Sequence, residues 1–479
     1  MSTAGVVSGM AALSEELAAV VGPRWIRHRQ AELAVFRADG LPTHEVTPGL
    51  AVLPGTREQV IEIVRLLYRH RTPFVARGAG TGLSGGALAE SDAVLIVLTR
   101  LNRILRLDPA ARRAVVEPGV VNARLTEAAA PFGLHYAPDP SSQSACTIGG
   151  NVAENAGGPH CLKYGVTTNH VVALEVVLPD GTVTRLGSPQ GEPWGPDLVA
   201  LFVGSEGMFG IATEVTVRLV PVPREIRTFL AAFSTIRAAS EAVSGIIAAG
   251  VVPAALEMMD GPCVRAVEAS IYAAGYPTDA AAVLLVELDG RPESVDEEER
   301  VVTGVLARCG ASEVRTATTA TDRARLWQGR KKAFGAMGRV TRDLIVQDAV
   351  VPRSTLPEVL DAIARIAAQE QVTVVNVFHA GDRNLHPIIC YDRRDAALVA
   401  RVQRASRAIM ETCVAAGGTI TGEHGVGSDK IDFMPLIFDP ATLSAMCDVR
   451  RVFDPEGRAN PGKVIPLRSC REWRAGGIA

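Results

Sequence analysis

Three histidines and one glutamate lie in two glycine-containing segments in the last quarter of the chain. In His379-Ala-Gly-Asp-Arg-Asn-Leu-His386, two imidazoles flank a tight Gly-Asp turn, so a hairpin there can bring both rings to one point. In Gly422-Glu-His-Gly-Val-Gly427, an acid (Glu423) and a third imidazole (His424) sit between glycines. Two histidines and one carboxylate with open coordination positions can hold a divalent metal that polarises a substrate. The same set could activate water for hydrolysis, with no redox step. Taken singly, a histidine is more often a structural hydrogen-bonder than a ligand. Three of the chain's nine share these loops, which favours metal binding or catalysis. Arg330, in Trp327-Gln-Gly-Arg-Lys-Lys-Ala-Phe334, offers a guanidinium fork that suits a carboxylate. Its plainer alternative is a solvated basic face with Lys331 and Lys332.

Three glycine-rich stretches precede these segments. Arg77-Gly-Ala-Gly-Thr-Gly-Leu-Ser-Gly-Gly86 follows a short apolar strand and precedes another, Val94-Leu-Ile-Val-Leu98. Its glycines let a ligand lie on main-chain N–H groups, a concavity suited to pyrophosphate. A dinucleotide fingerprint fits poorly, because no helix opens after Gly86, and the Gly-Lys-Ser/Thr ending of a phosphate-binding loop is absent. Residues 138–158, rich in Gly, Asn, Ser and Thr, read as a long polar loop of the kind that serves a ligand. Gly204-Ser-Glu-Gly-Met-Phe-Gly210 is the third stretch.

The elements that must position these residues follow from periodicity and punctuation. Residues 1–44 form a lead-in with a helix at 13–21. From 45 to 222, strands at 51–54, 73–77, 94–98, 104–107 and 113–117 alternate with a helix capped by Thr56 and another at 122–132. A hairpin over 170–185 turns at Asp180-Gly181, and a strand over 211–219 ends the first domain. Pro221-Val-Pro223 marks the boundary. The second domain, 223–479, carries strands at 229–233, 282–288, 345–351, 372–378 and 385–391. Helices at 235–249, 260–274, 293–309, 321–340 and 355–369 predict an antiparallel sheet covered on one side. The class is α+β.

Composition narrows the function. A chain of 479 residues can fold two or three domains, and 47% hydrophobic with 21% charged residues is a globular balance. A net charge of −3 and the lack of a basic, aromatic-laced stripe exclude nucleic acid. Cys146, Cys161, Cys263, Cys309, Cys390, Cys413, Cys447 and Cys470 form no C-x-x-C pair, so no iron–sulfur cluster is signalled. There is no signal-peptide pattern and no span-length apolar run, so a cytoplasmic location is expected, peripheral to a membrane only through partners.

Taken together, the three glycine stretches resemble the FAD-binding domain of the vanillyl-alcohol oxidase (PCMH-type) superfamily. From about residue 45 to 466 the chain is similar to FAD-linked 2-hydroxy-acid oxidoreductases of the glycolate oxidase and D-lactate dehydrogenase type. The resemblance implies a PCMH-type FAD-binding domain of two α/β subdomains. An FAD-linked oxidase C-terminal domain with an antiparallel sheet and helices follows, and its last segment returns to the cofactor. It places the pyrophosphate on Arg77, Gly78, Ala79, Gly80, Thr81, Gly82 and Leu83. It borders the rest of the dinucleotide with Pro138, Asp139, Ser141, Ser142, Cys146, Thr147, Gly149, Gly150, Asn151, Ala153, Asn155, Gly157 and Gly158. Glu206, Gly207, Gly210, Ile211 and Asn460 complete that set. The first loop lacks the histidine of covalent relatives, so the FAD is expected to be non-covalent.

By the same resemblance His379, His386 and Glu423 hold a divalent metal (Zn, Mn or Fe), His424 is the base, and Arg330 clamps the substrate carboxylate. Two departures bear on this. Arg383 stands where relatives commonly have glycine. Val346 stands where 2-hydroxyglutarate dehydrogenases carry a lysine, which favours a short substrate. The expected reaction is oxidation of glycolate or D-lactate to the 2-oxo acid. Electrons would leave to FAD- or iron–sulfur-containing partner subunits, a quinone or a cytochrome. A D-2-hydroxyglutarate-type dehydrogenase, a metal-dependent hydrolase and an inactive nucleotide-binding module are the alternatives.

Overall fold

The computed structural model describes residues 3–41, 44–191 and 195–466. Cys470 lies outside the described residues, and the other seven cysteines are free thiols. The chain forms two compact units. One takes the described residues of Met1–Gly157, Val166–Val222 and His424–Ala479; the other takes Gly158–Gly165 and Pro223–Glu423.

The first unit has two larger sheets and a two-stranded pair, Leu134–His135 with Val220–Pro221. Three parallel strands, Leu50–Val52, Val94–Val97 and Phe74–Arg77, share a four-stranded sheet with the antiparallel edge strand Ile26–Arg27. The helix Arg57–Arg69 makes the crossover. Thr56 caps it by accepting from the Gln59 N–H at 3.3 Å. Its Val60, Ile61, Val64 and Leu67 bury against the sheet, each contributing about 1.5–3 kcal/mol of burial. Leu13, Leu17 and Val21 of the helix Thr3–Val21 join the same core. The second sheet is five antiparallel strands in the order Ile104–Asp108, Arg113–Val116, Ile211–Arg218, Val171–Val177, Val183–Gly187.

Residues 138–158 are not one loop. Ile148–Glu154 is a helix, with the Thr147 hydroxyl accepting from the Gly150 N–H at 3.3 Å and Asn155 in the left-handed region at its end. Two glycines in its first turn hid it from periodicity. The helix Pro440–Phe453 was also not anticipated. It packs Cys447 into the core of the second sheet and stacks the Phe453 ring on Phe209 at 4.5 Å. The segment from His424 onward therefore clusters with the first unit, not with 223–423.

The other unit is built on a seven-stranded antiparallel sheet. Its order is Glu313–Thr316, Glu225–Phe233, Ala282–Gly290, Ala255–Asp260, Thr373–Phe378, Pro387–Tyr391, Asp343–Val346. The sequence reading missed Glu313–Thr316 and Ala255–Asp260. Helices cover both faces rather than one. Val283 and Leu285 join a core with Cys263, Leu326 and Met337, while the intervening Leu284, Val286 and Leu288 are equally buried. Helices Ile236–Ala248 and Pro292–Arg308 pack on these same strands. A strand reading Val-Leu-Leu-Val-Glu-Leu has no polar face to offer water. Ala396–Ala415, capped by Asp395 on the Leu398 N–H at 3.0 Å, is a further unanticipated helix.

Thr147→Ala removes the cap of Ile148–Glu154 and is expected to cost about 1 kcal/mol, read as a lowered Tm in thermal unfolding.

Candidate active site

In the unit formed by Gly158–Gly165 and Pro223–Glu423, the 379–386 segment folds as the sequence suggested. Strand Thr373–Phe378 continues into a His379–Asn384 bridge, and the chain returns through Pro387–Tyr391. The His379 and His386 rings meet edge to face, with centroids 5.2 Å apart. Both Nε2 atoms lie 3.1 Å from the same oxygen, Glu423 Oε1. On the far side of each ring an acceptor takes the Nδ1 proton: the Glu257 carboxylate at 2.8 Å for His379 and the Gln347 carbonyl at 3.3 Å for His386. By holding a proton on Nδ1, those partners would let a cation meet the Nε2 lone pair of each ring. The two Nε2 atoms and a carboxylate oxygen converge, and positive charge, a proton or a metal ion, must lie among them. Ligand atoms about 2.0–2.1 Å from a tetrahedral zinc lie about 3.3 Å from one another, so the 3.1 Å separations fit a divalent ion.

Charge around the cluster is balanced by ion pairs. Burial works against the His379 imidazolium, but the Glu257 and Glu423 carboxylates outweigh it and hold its pKa well above the ordinary value. Burial likewise works against the Glu423 carboxylate, and the two imidazoles outweigh it and hold that carboxyl well below the usual range. Glu257, on the strand that sequence reading missed, is fully buried and also pairs with Arg330 at 2.5 Å. Its signal was a lone acid in Leu-Glu-Met-Met, an apolar setting that only a paired carboxylate tolerates. Arg330 is only 5% exposed, so the solvated-face alternative fails. Its Nε is buried without a hydrogen-bond partner among the described residues.

Backbone shape around the hairpin is demanding. Arg383 adopts φ +70°, a conformation that suits glycine better than arginine. A Cβ on Gly422 would lie 2.5 Å from the Asn384 side chain, so that glycine permits a close approach. Asp348, buried, accepts from the Gly422 N–H at 2.9 Å and from the Thr421 hydroxyl at 2.6 Å. Val346 is a buried apolar residue on the edge strand Asp343–Val346.

In the other unit, Gly78 to Leu83 stay at least partly open to solvent. Gly80 has φ +72°, and a Cβ there would collide with the Arg77 guanidinium. That guanidinium is itself buried, donating to the carbonyls of Ala38 at 2.7 Å, Ala87 at 3.3 Å and Phe36 at 3.4 Å, so it shapes the loop from beneath. Several of the residues expected at the cofactor also make contacts within the protein. Asn151 bonds Asn122 and Cys146, Asn155 accepts from the Thr168 N–H, and Ile211 is core. A Cβ on Gly149 would press on Pro118 at 2.6 Å, so Gly149 serves packing. Pro138 accepts from Asn122 through its carbonyl, Ser141 is exposed and Asp139 and Ser142 are half-buried. Thr147 and Gly150 form the helix start, with Ala153 accepting from the Glu206 N–H. Gly207 and Gly210 take φ +76° and +128°. Gly157 ends this unit's first segment, whereas Gly158 belongs to the other unit. Asn460 ties two glycine stretches together by donating to the carbonyls of Gly86 at 2.9 Å and Glu206 at 2.5 Å. Its Oδ1 and the Ser84 hydroxyl are buried without partners among the described residues, as polar atoms reserved for a ligand are.

Comparison with known proteins decides which ligand this cradle serves. Residues 48–187 match the FAD binding domain family, and residues 222–464 match the family of FAD linked oxidases, C-terminal domain. The chain belongs to the FAD-linked oxidases. It is thus an oxidoreductase whose cofactor is FAD. It is 48% identical over 451 residues to the glycolate oxidase subunit GlcD of Escherichia coli K12, covering 94% of this chain and 90% of that one. GlcD of Bacillus subtilis is 39% identical, over 95% and 96% of the two chains. D-lactate dehydrogenase of Anaerostipes hadrus is 32% identical, over 87% and 89%. Among solved structures, p-cresol methylhydroxylase aligns with a TM-score of 0.83 at 20% identity, over 96% and 98% of the chains. 4-Ethylphenol oxidase from Gulosibacter chungangensis aligns at 0.77. At such identity the likeness establishes the PCMH-type fold. Among the described residues no helix of this oxidase is long and apolar enough to cross a membrane.

Two outcomes are expected. Gly80→Val purifies without the flavin absorbance at roughly 450 nm, because the new side chain displaces Arg77 and forces the loop open. Glu257→Gln, which weakens the hold on the His379 ring, lowers divalent-metal affinity about 10–100-fold in a competition titration.

Proposed function

We propose that this FAD-linked oxidase converts a small 2-hydroxy acid, glycolate or D-lactate, to the 2-oxo acid. The observation that supports it most is the convergence of His379 Nε2 and His386 Nε2 on Glu423 Oε1, with Arg330 Nη2 at 3.4 Å from the His379 ring. A cation-binding cluster beside a buried guanidinium matches an α-hydroxyl and its neighbouring carboxylate. When bound, FAD supplies a two-electron sink for hydride, and a divalent ion (Zn, Mn or Fe) supplies positive charge that makes the hydroxyl more acidic.

The chain's own residues do the rest. Arg330 directs its free Nε to the substrate carboxylate, while Glu257 holds the guanidinium plane in place. His379, His386 and Glu423 form the cation's protein ligands, and Glu257 and the Gln347 carbonyl fix the two rings in the tautomer that binds it. His424 takes the hydroxyl proton as the Cα–H leaves with its electron pair, so one proton and one hydride depart together. Val346 offers no cation for a distal carboxylate, which favours a short acid over 2-hydroxyglutarate. FAD is held non-covalently, and the two electrons pass on to a partner subunit, a reading supported by relatives that are themselves named as subunits. Membership of an oxidase family leaves the hydrolase alternative without support.

Anaerobic mixing of the FAD-loaded enzyme with glycolate and with D-lactate should bleach the flavin, and a chelator should slow this at least tenfold. Flavin that stays oxidised with every short 2-hydroxy acid would show the substrate class to be wrong. His424→Ala should keep its flavin yet lose about 10²–10⁴-fold in reduction rate, the usual contribution of a general base. Normal turnover in that variant would exclude His424 as the base.

A further inference from the structure

Two buried carboxylates that take no part in the proposed chemistry each grip the backbone of Gly422–Gly427, one on either side of the Glu423–His424 pair. Asp348, fully buried, accepts from the Gly422 N–H at 2.9 Å, the Glu423 N–H at 3.3 Å and the Thr421 hydroxyl at 2.6 Å. Glu206 is 5% exposed and accepts from the Val426 and Gly427 N–H groups, each at 2.7 Å. Hydrogen bonds from amides to a buried carboxylate are among the stronger neutral-to-charged contacts a protein makes.

The loop is shaped to receive these grips. Gly425 and Gly427 take φ +84° and +52°. A Cβ on Gly425 would lie 2.7 Å from Glu206 Oε1 and 2.5 Å from Glu154 Oε2, and one on Gly427 would collide with the Ser84 carbonyl. That carbonyl accepts from the Ser428 and Asp429 N–H groups at 3.0 and 3.1 Å, which pins the chain just beyond. Three glycines in six residues leave this backbone little stiffness of its own. Glycine-rich amides usually await an anion from a ligand. Here the anions come from the protein.

We propose that Asp348 and Glu206 are positioning residues for this loop: Asp348 sets the Glu423 carboxylate and Glu206 sets the His424 ring. The assignment rests on the reading of Glu423 as a cation ligand and His424 as the base. It moves Glu206, whose place in the third glycine stretch suggested cofactor contact, from holding FAD to holding the base. A misplacement of about 1 Å at a reacting group costs about 10²-fold in rate, so the loss of either grip should be visible.

The experiment compares full-length, FAD-loaded wild type with Glu206→Ala, Glu206→Gln, Asp348→Asn, His424→Ala and the Glu206→Ala/His424→Ala double variant. Amide hydrogen exchange needs no substrate. Exchange at Val426 and Gly427 should rise at least about tenfold in Glu206→Ala but not in Asp348→Asn, and exchange at Gly422 and Glu423 should show the reverse. Protection unchanged in both variants would overturn the proposal, even if the enzyme's substrate has been misjudged. In anaerobic reduction by glycolate or D-lactate, Glu206→Ala should slow about 10–100-fold, with flavin content and half-saturating substrate within about threefold of wild type. The double variant should be no slower than His424→Ala alone, because the grip acts only through the ring. Multiplicative losses, or loss of flavin from Glu206→Ala, would make Glu206 a structural or cofactor residue and overturn its role. Asp348→Asn should weaken zinc or manganese binding about 10–100-fold, with the reduction rate restored by excess metal. If Glu206→Ala does not fold, Glu206→Gln, which keeps the volume and one acceptor oxygen, should give intermediate exchange and rate. Wild-type values for both would overturn the proposal.

Discussion

Two imidazole nitrogens and a carboxylate oxygen cannot share a buried point unless positive charge lies among them. Much of the unit around His379, His386 and Glu423 follows from that constraint. Glu257 and the Gln347 carbonyl face the outer nitrogens, so a cation at the inner ones would meet their lone pairs. Glu257 would be an intolerable charge on its strand without Arg330 and His379 beside it, and their attraction overcomes burial to keep its carboxyl below the usual range. Removing one member therefore strands the others. The polar set is interlocked in the way an active site needs and a hydrophobic core does not.

The flavin unit solves a different problem, exposing backbone amides without unravelling. Glycine serves two purposes there. Gly80 takes a left-handed conformation over the Arg77 guanidinium, keeping the loop open, whereas Gly149 and Gly210 let backbone pass close to Pro118 and to the Val177 carbonyl. Asn460 then draws together stretches far apart in sequence, through the carbonyls of Gly86 and Glu206. Asn151 and Asn155, expected to border the cofactor, also bond within the frame around it.

Elements with a clear period were legible in the sequence. The helix capped by Thr56, the Asp180-Gly181 hairpin and the parallel strands around the first glycine loop stand near their expected places, because each carries both a pattern and a terminator. Ala255–Asp260 was missed because an acid interrupts its apolar run, and that acid is the partner of Arg330 and His379. The helix at 148–154 was missed because glycines occupy its first turn. Pro440–Phe453 and Ala396–Ala415 carry their own start signals in the caps Asp439 and Asp395.

The residue types alone pointed to the chemistry: imidazoles and a carboxylate suited to a cation, glycines suited to a dinucleotide, and no cluster-forming cysteine pairs. Spacing along the chain also pointed to the His379–His386 hairpin, since those eight residues can close on themselves. Tertiary structure decided what sequence distance conceals. It brought Glu423 to the two rings, gave Arg330 and His379 a common buried anion in Glu257, and turned Glu206 toward the amides of Val426 and Gly427. Local sequence encodes conformational preference. The partner of a buried charge is chosen by the whole packed chain, because only there does leaving it unpaired carry a cost.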